Sequence, residues 1–454
     1  MITKDTYIAT HRFGFAPNLN DIQMVQNNAK AALLKQINDY QATPNAYAKL
    51  PTHQTIIKTY KAHTKKLRSI DKSDSAAKQK AKRQLIKEGV KQYNEEVEKR
   101  ITWAAQTPTP FAENLVHFWS DHFTVSAQKR EIIPLVGAYE REAIRPHIFG
   151  NFYDMAMAAI LHPAMLIYLD NISSFGPNSI IGKRRNKGLN ENLAREVLEL
   201  HILGVNGGYS QKDVQELAKV LTGWTIALRN AEKSDTTQFV SFAHEGGIKT
   251  ILGKTYQGQG KDTLRKVIFD LCHKPATAKF IATKMAHYFV SDTPSDVLIR
   301  DLAKTFQQTK GDLRKVTEKL IQHPDAWHND LNKIKTPWQY IVSILRATNN
   351  AEAIPAKKIM LALNHLGQRP FYAPSPAGWK NDAQTWLSPE AMIRRVDLGY
   401  LAAGNMDKKT DMNIWMQNIL GDMADANTRF AIQRAPSKRE AFTMLFASPA
   451  FQRK

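Results

Sequence analysis

Apolar side chains recur every three or four positions along most of this chain, and that period commits it to helices. Residues 20–42 follow the period, with Asn20 or Asp21 placed to cap the start. It returns over 261–272, 275–290, 295–307, 311–322, 336–349, 355–366, 388–403, 411–420 and 437–447. In "SQKDVQELAKVLTGWTI", Ser210 and Asp213 have the spacing of a capping box. One punctuation mark repeats: "AAILHPAML", "KLIQHPDAW" and "FASPAFQ" each end an apolar run with His or Ser before Pro, and "LCHKPATAKF" is a looser case. Proline suits the first helical turn and the residue before it resists helix, so His162 and His323 belong at helix junctions in structural roles.

Strand signals are few. "TTQFVSFAHEGGIKTILGKTY" alternates around Gly246 and Gly247, which predicts a β-hairpin near 237–256. The expected fold is mostly α, a multi-helical, bundle-like architecture with that one small hairpin. A chain of 454 residues exceeds one core of ~100–200 residues. The composition divides it into an N-terminal helical region with a Lys-rich block (1–109), a central helical core with the hairpin (110–260) and a C-terminal helical region (261–454).

No run approaches the ~20 apolar residues of a membrane span. "MITKDTYIATHRFGFAPN" carries no export signal, so the cytoplasm is the default expectation. The single cysteine, Cys272, excludes an internal disulfide and a Cys-based zinc site. It reads as a small buried thiol near a helix end, with a thiolate beside His273 as the alternative. A formal net charge of +21 attracts polyanions, and the excess is densest over 58–100. That block reads either as a solvated helix pair or as a phosphate-binding surface; no aromatics interleave as a single-strand-binding groove requires.

The densest polar insertion into an apolar helix is "NENLAREVLELHILG" (190–204). At about 100° per residue, Asn192, Glu196 and Glu199 share one stripe, and Glu191 and Arg195 are i, i+4 neighbours. His201 points well away from both Glu residues of that stripe, so "ExxExH" is not a ligand motif. In "ENLVHFWSDHF", Asn114, His117 and Asp121 share a stripe and His122 points elsewhere. Facing stripes from two helices are how bundles build polar sites. The candidate constellation is therefore His117 as base or ligand, Asp121 and Glu196 as ligands or partners, Glu199 as second carboxylate and Arg195 as charge clamp. A divalent metal held by His117, Asp121 and Glu196 is the implied cofactor. Asp170, Asn171, Asn190 and Asn192, with Arg184 and Arg185 of the basic loop "GKRRNKG", are candidate contacts for a polar or anionic substrate. The alternative is a satisfied buried network in a non-catalytic binding or scaffold protein for an anionic polymer or partner protein. There is no Walker motif, dinucleotide fingerprint, G-x-S-x-G or H-E-x-x-H, and no specific nucleic-acid motif.

The stretches "HRFGFAP", "HFWSDHFTVS", "MLIYLDN", "LNENLAREVLELHILGVNGGYSQKDVQELAKVLTGWTI", "KPATAKFIATKMAHYFV", "LGQRPFYAPSPAGW" and "LSPEAMIRR" together resemble the bacterial domain-of-unknown-function family 1800 over nearly the whole chain. The resemblance implies an α-rich chain and no secure activity. Its motif falls on His117, Asp121, His122, Asp170, Asn171, Asn190, Glu191, Arg195, Glu196, Glu199, His201 and Trp224. It also implies an envelope or exported location and a sulfatase-like partner protein; the start of this chain departs from that pattern.

Overall fold

The computed structural model describes residues 2–71, 73–226, 237–258, 260–328, 330–404, 406 and 411–454. They are mostly helical, with two small two-stranded antiparallel sheets. Buried apolar side chains from Ile2 to Phe451 form one connected cluster, to which all three composition-defined regions contribute.

The helix ends explain how so many elements pack with so little loop. His162 closes helix Phe152–Leu161 and opens helix Pro163–Tyr168, its Nδ1 accepting the Ala164 amide at 3.1 Å. His323 does the same between helix Leu313–Gln322 and the turn Pro324–Trp327, accepting from the Asp325 amide. Ser448 repeats the device with its hydroxyl, joining Lys438–Ala447 to Pro449–Gln452. A single side chain thus satisfies a free amide of the second helix while its backbone ends the first. Ser210 and Asp213 form the expected reciprocal capping box of helix Gln211–Leu221.

Two expectations change. Residues 20–42 are not one helix: Leu19–Val25 and Ala29–Asp39 are separate. Asn18 and Asp21 box the first, and Asn28 caps the second from the Gln26–Asn28 corner. A small hairpin does lie within 237–256, but it does not turn at Gly246 and Gly247. β1 (Trp224–Ile226) pairs with β2 (Thr237–Phe239), and β3 (Lys249–Ile251) pairs with β4 (Lys254–Tyr256); residue 236 lies outside the described residues. The tight turn is Leu252–Gly253, both at positive φ, as a two-residue hairpin of this twist requires. Gly246 and Gly247 instead wrap the buried Lys249 ammonium, which donates to the carbonyls of Glu245, Gly246 and Gly247.

The Lys-rich block is a helical arm, His53–Ser69 packed against the 32-residue Ser75–Gln106. At about 1.5 Å per residue, the longer helix spans roughly 48 Å. Its first buried residue is Tyr93, so the Lys-rich outer half lies outside the core, against its partner helix and, near Gly89, the loop at Ile133 and Pro134. The inner half enters the core through Val97, Arg100, Ile101 and Ala104.

Candidate functional site

Helix Pro110–His122 and the helix that begins at Asn192 do touch, but not through their polar stripes. His122 Nε2 lies 2.9 Å from the His201 carbonyl, and His201 Nδ1 lies 3.2 Å from the His122 carbonyl. This reciprocal clasp is fully enclosed by Phe123, Phe152 and Phe280. Burial pushes both imidazoles down, His201 to about 3. Each histidine sits far round its helix from the polar stripe, so joining the helices here turns the stripes away from each other. The segment Val197–Ile202 is also a π-helix, which widens the turn beneath Glu199.

The polar residues consequently separate into two neighbourhoods. His117 and Asp121 line one pocket. Glu196 and Glu199 lie elsewhere, half-buried, with no hydrogen bond or ion pair to the first pair among the described residues. Glu196 is pushed up by lost hydration and by Glu199 beside it, against Arg195, which pulls it down. Arg195 faces solvent and pairs with Glu191 at 3.1 Å and Gln211 at 2.9 Å. Asp170 adopts a left-handed conformation and pairs with Lys129 at 2.6 Å. Asn171 is a buried brace, donating to the carbonyls of Leu221 and Trp224. Asn190 accepts the Asn192 amide, while Asn192, Arg184 and Arg185 are exposed. The Cys272 thiol is buried and pushed up by burial, which suits the structural reading.

The His117–Asp121 pocket has a volume of about 40 Å³ and is bounded by Arg100, Ser120, Trp338 and the loop from Gln368 to Trp379. Asp121 accepts the Trp379 amide at 2.8 Å. A Cβ on Gly378 would meet Asp121 Oδ1 at 2.7 Å, so only glycine, here at φ +83°, lets the loop close on the carboxyl. Phe371, also at positive φ, lays its ring 4.6 Å from the Arg100 guanidinium, and Trp338 covers the same guanidinium at 4.5 Å. Loss of hydration raises the Asp121 carboxyl to about 6, against the Trp379 hydrogen bond and the Lys284 and Arg100 charges, which pull it down. The same desolvation, with Arg100 adjacent, lowers His117 to about 3. Arg100 Nη2 lies 3.4 Å from His117 Nδ1. A guanidinium only donates, so Nδ1 is the acceptor and the ring proton of the neutral imidazole belongs on Nε2.

The wide turn Glu140–Ile144, a π-helix, anchors this pocket and a second polar cluster. Glu140 receives Arg100 Nε at 2.8 Å, Ser120 Oγ at 2.6 Å and Arg145 Nη2 at 3.3 Å. Burial alone would raise its carboxyl; the two arginines and the Ser120 hydroxyl hold it well below the usual range. Two residues on, Glu142 accepts the His53 amide at 2.9 Å and also meets His53 Nδ1. His162 Nε2 stands 3.5 Å from Glu142 Oε2. Among the described residues, His53, Glu142 and His162 are the one group of three His, Cys or carboxylate side chains whose ligating atoms all lie within 4.8 Å of one another. The expected metal set His117, Asp121 and Glu196 does not meet that condition, because the two helices join through their other faces.

Arg100, Ser120, Glu140, His53, Glu142 and the loop closing on Asp121 were missed by helix-by-helix reading. The available signal was "YEREAIRP": four charges inside an otherwise apolar stretch, a density hard to place in a core unless several partners converge there.

The model of the protein-of-unknown-function family DUF1800 matches residues 8–453. The chain belongs to the DUF1800 family. Comparison with curated proteins and with solved structures returned no match. Among the described residues of this DUF1800 chain, no helix is long and apolar enough to cross a membrane.

Proposed function

We propose that this chain is an acid–base enzyme whose chemistry sits between Asp121, His117 and Arg100. One observation carries the reading: a single cleft holds a carboxyl raised to about 6 next to an imidazole kept neutral. Perturbed titratable groups gathered in a cleft are enriched at catalytic sites, and a carboxyl raised toward neutrality is suited to proton transfer there. Asp121 exchanges the proton, and His117 donates a hydrogen bond from Nε2 to polarise the bound group. Arg100, held by Glu140 and its two aromatic faces, supplies the positive charge. The cleft admits one polar or anionic functional group of a larger substrate, since its volume of about 40 Å³ is only a few times the ~10–15 Å³ that a single water needs on the same measure.

Carbon-detected NMR titration of the Asp121 carboxyl tests the premise without a substrate. A midpoint near 6 is expected, and a midpoint near 4 removes the proposal. In a screen of small carboxylic, phosphoric and sulfuric esters, turnover should show a pH limb near 6 that disappears in Asp121→Asn.

The exposed half of the arm favours a second reading, attachment to an anionic polymer or partner protein through Lys65, Lys66, Lys80, Lys82 and Lys87. The two readings use different surfaces and are compatible.

A further inference from the structure

We propose that His53, Glu142 and His162 form a binding site for a divalent transition metal of the zinc class. The donor set, two imidazoles and one carboxylate, suits zinc and its neighbours and does not suit calcium or magnesium, which take all-oxygen shells. Three distant segments deliver it: the first residue of the arm, the wide turn and a helix junction.

The geometry supports a tetrahedral ion. Ligands about 2.0–2.2 Å from zinc stand roughly 3.4 Å apart. His162 Nε2 and Glu142 Oε2 lie 3.5 Å apart, close to that edge. The His53 and His162 ring centres are 4.9 Å apart at 66°, so the rings converge without stacking. His53 Nδ1 and Glu142 Oε2 are hydrogen-bonded to each other, so that bond opens when both turn to an ion. There is room for that, since the His53 and Glu142 side chains retain 20% and 24% of their exposure. The same opening leaves a fourth position toward solvent.

A second observation is independent of the cluster's composition. His162 is 6% exposed, and its Nε2 is buried with no hydrogen-bond partner while it faces Glu142. At 3.5 Å the Glu142 oxygen is too far for a good hydrogen bond, and an ion held between the two groups would satisfy both. Its Nδ1 accepts the Ala164 amide, so without metal the neutral ring carries its proton on Nε2. Metal at Nε2 moves that proton to Nδ1 and gives up the helix cap. No proton leaves the ring in the exchange.

The test uses the full chain stripped with chelator. Cobalt(II) is titrated and followed by its visible absorption, then displaced by zinc in calorimetric competition. One equivalent is expected, with binding weakened at least about tenfold in Glu142→Gln and in His162→Asn. Asparagine is itself a good cap, so the second variant removes the ligand and keeps the helix junction. Zinc should raise the melting temperature of the natural chain and leave that of His162→Asn unmoved. Asp121→Asn should bind metal normally, which separates this site from the acid–base cleft. Absence of a stoichiometric equivalent, or affinity in both variants equal to that of the natural chain, overturns the assignment and leaves the trio as a hydrogen-bonded latch.

Discussion

Replacing Arg145 by Met is the sharpest test of how the interior is held together. Arg145 is completely buried. Its Nη1 donates to Glu113 at 2.9 Å, and its Nη2 reaches Glu113, Tyr47 and Glu140. Methionine fills much of the volume and removes the charge. Glu140 keeps Arg100 and Ser120, but among the described residues Arg145 is the only side chain that bonds the Glu113 carboxylate, which is 4% exposed. Stranding one buried charge costs about 3–5 kcal/mol, the expected loss in urea unfolding at pH 7. Adding Glu113→Gln to Arg145→Met should recover about 1–3 kcal/mol, because no charge is then left alone. A single variant that loses less than about 1 kcal/mol, or a double variant no more stable than the single, refutes the claim that these charges are mutually dependent.

Acid should destabilise the fold in a definite window. His11, His117, His122, His162 and His201 are all depressed by burial, so between the ordinary histidine range and their folded values the unfolded chain holds more protons. Stability is therefore full above about 6.5 and declines as pH falls toward 3, while Asp121, raised to about 6, contributes the opposite slope between about 4 and 6. Urea midpoints measured from pH 8 to 4 should fall, and a flat profile contradicts the buried-histidine account. For the arm, retention on immobilised heparin should drop with salt, and Lys65, Lys66, Lys80, Lys82 and Lys87 changed together to Gln should elute at distinctly lower salt. Unchanged elution would place the contact elsewhere.

Helix positions were legible because each apolar run carries its own end signals. The segments expected at 261–272, 275–290 and 437–447 appear as Lys261–Cys272, Pro275–Phe289 and Lys438–Ala447. Helix pairing was not legible. A wheel shows that His117 and Asp121 share a face, and they do line one pocket, but it cannot tell which face a neighbour will meet. That choice fell to His122 and His201, whose contacts are with backbone carbonyls and leave no side-chain pattern to read. The turn of the hairpin was misplaced for a related reason. "GG" reads as a turn, yet Leu252 took the positive φ and the Gly pair went to wrapping Lys249. Nor could spacing show that Gly378, more than 250 positions after Asp121, was needed for its absent Cβ.

The junctions at His162, His323 and Ser448 join consecutive helices through one shared residue, with no slack to absorb a change in length. One extra residue there would rotate everything downstream by about 100° relative to what precedes it. At His162 that rotation would carry the imidazole away from Glu142 and from the ring of Tyr139, 5.1 Å off. Insertions should therefore survive in the outer arm and be lost at these three points, a contrast that a tolerance scan along the gene would expose.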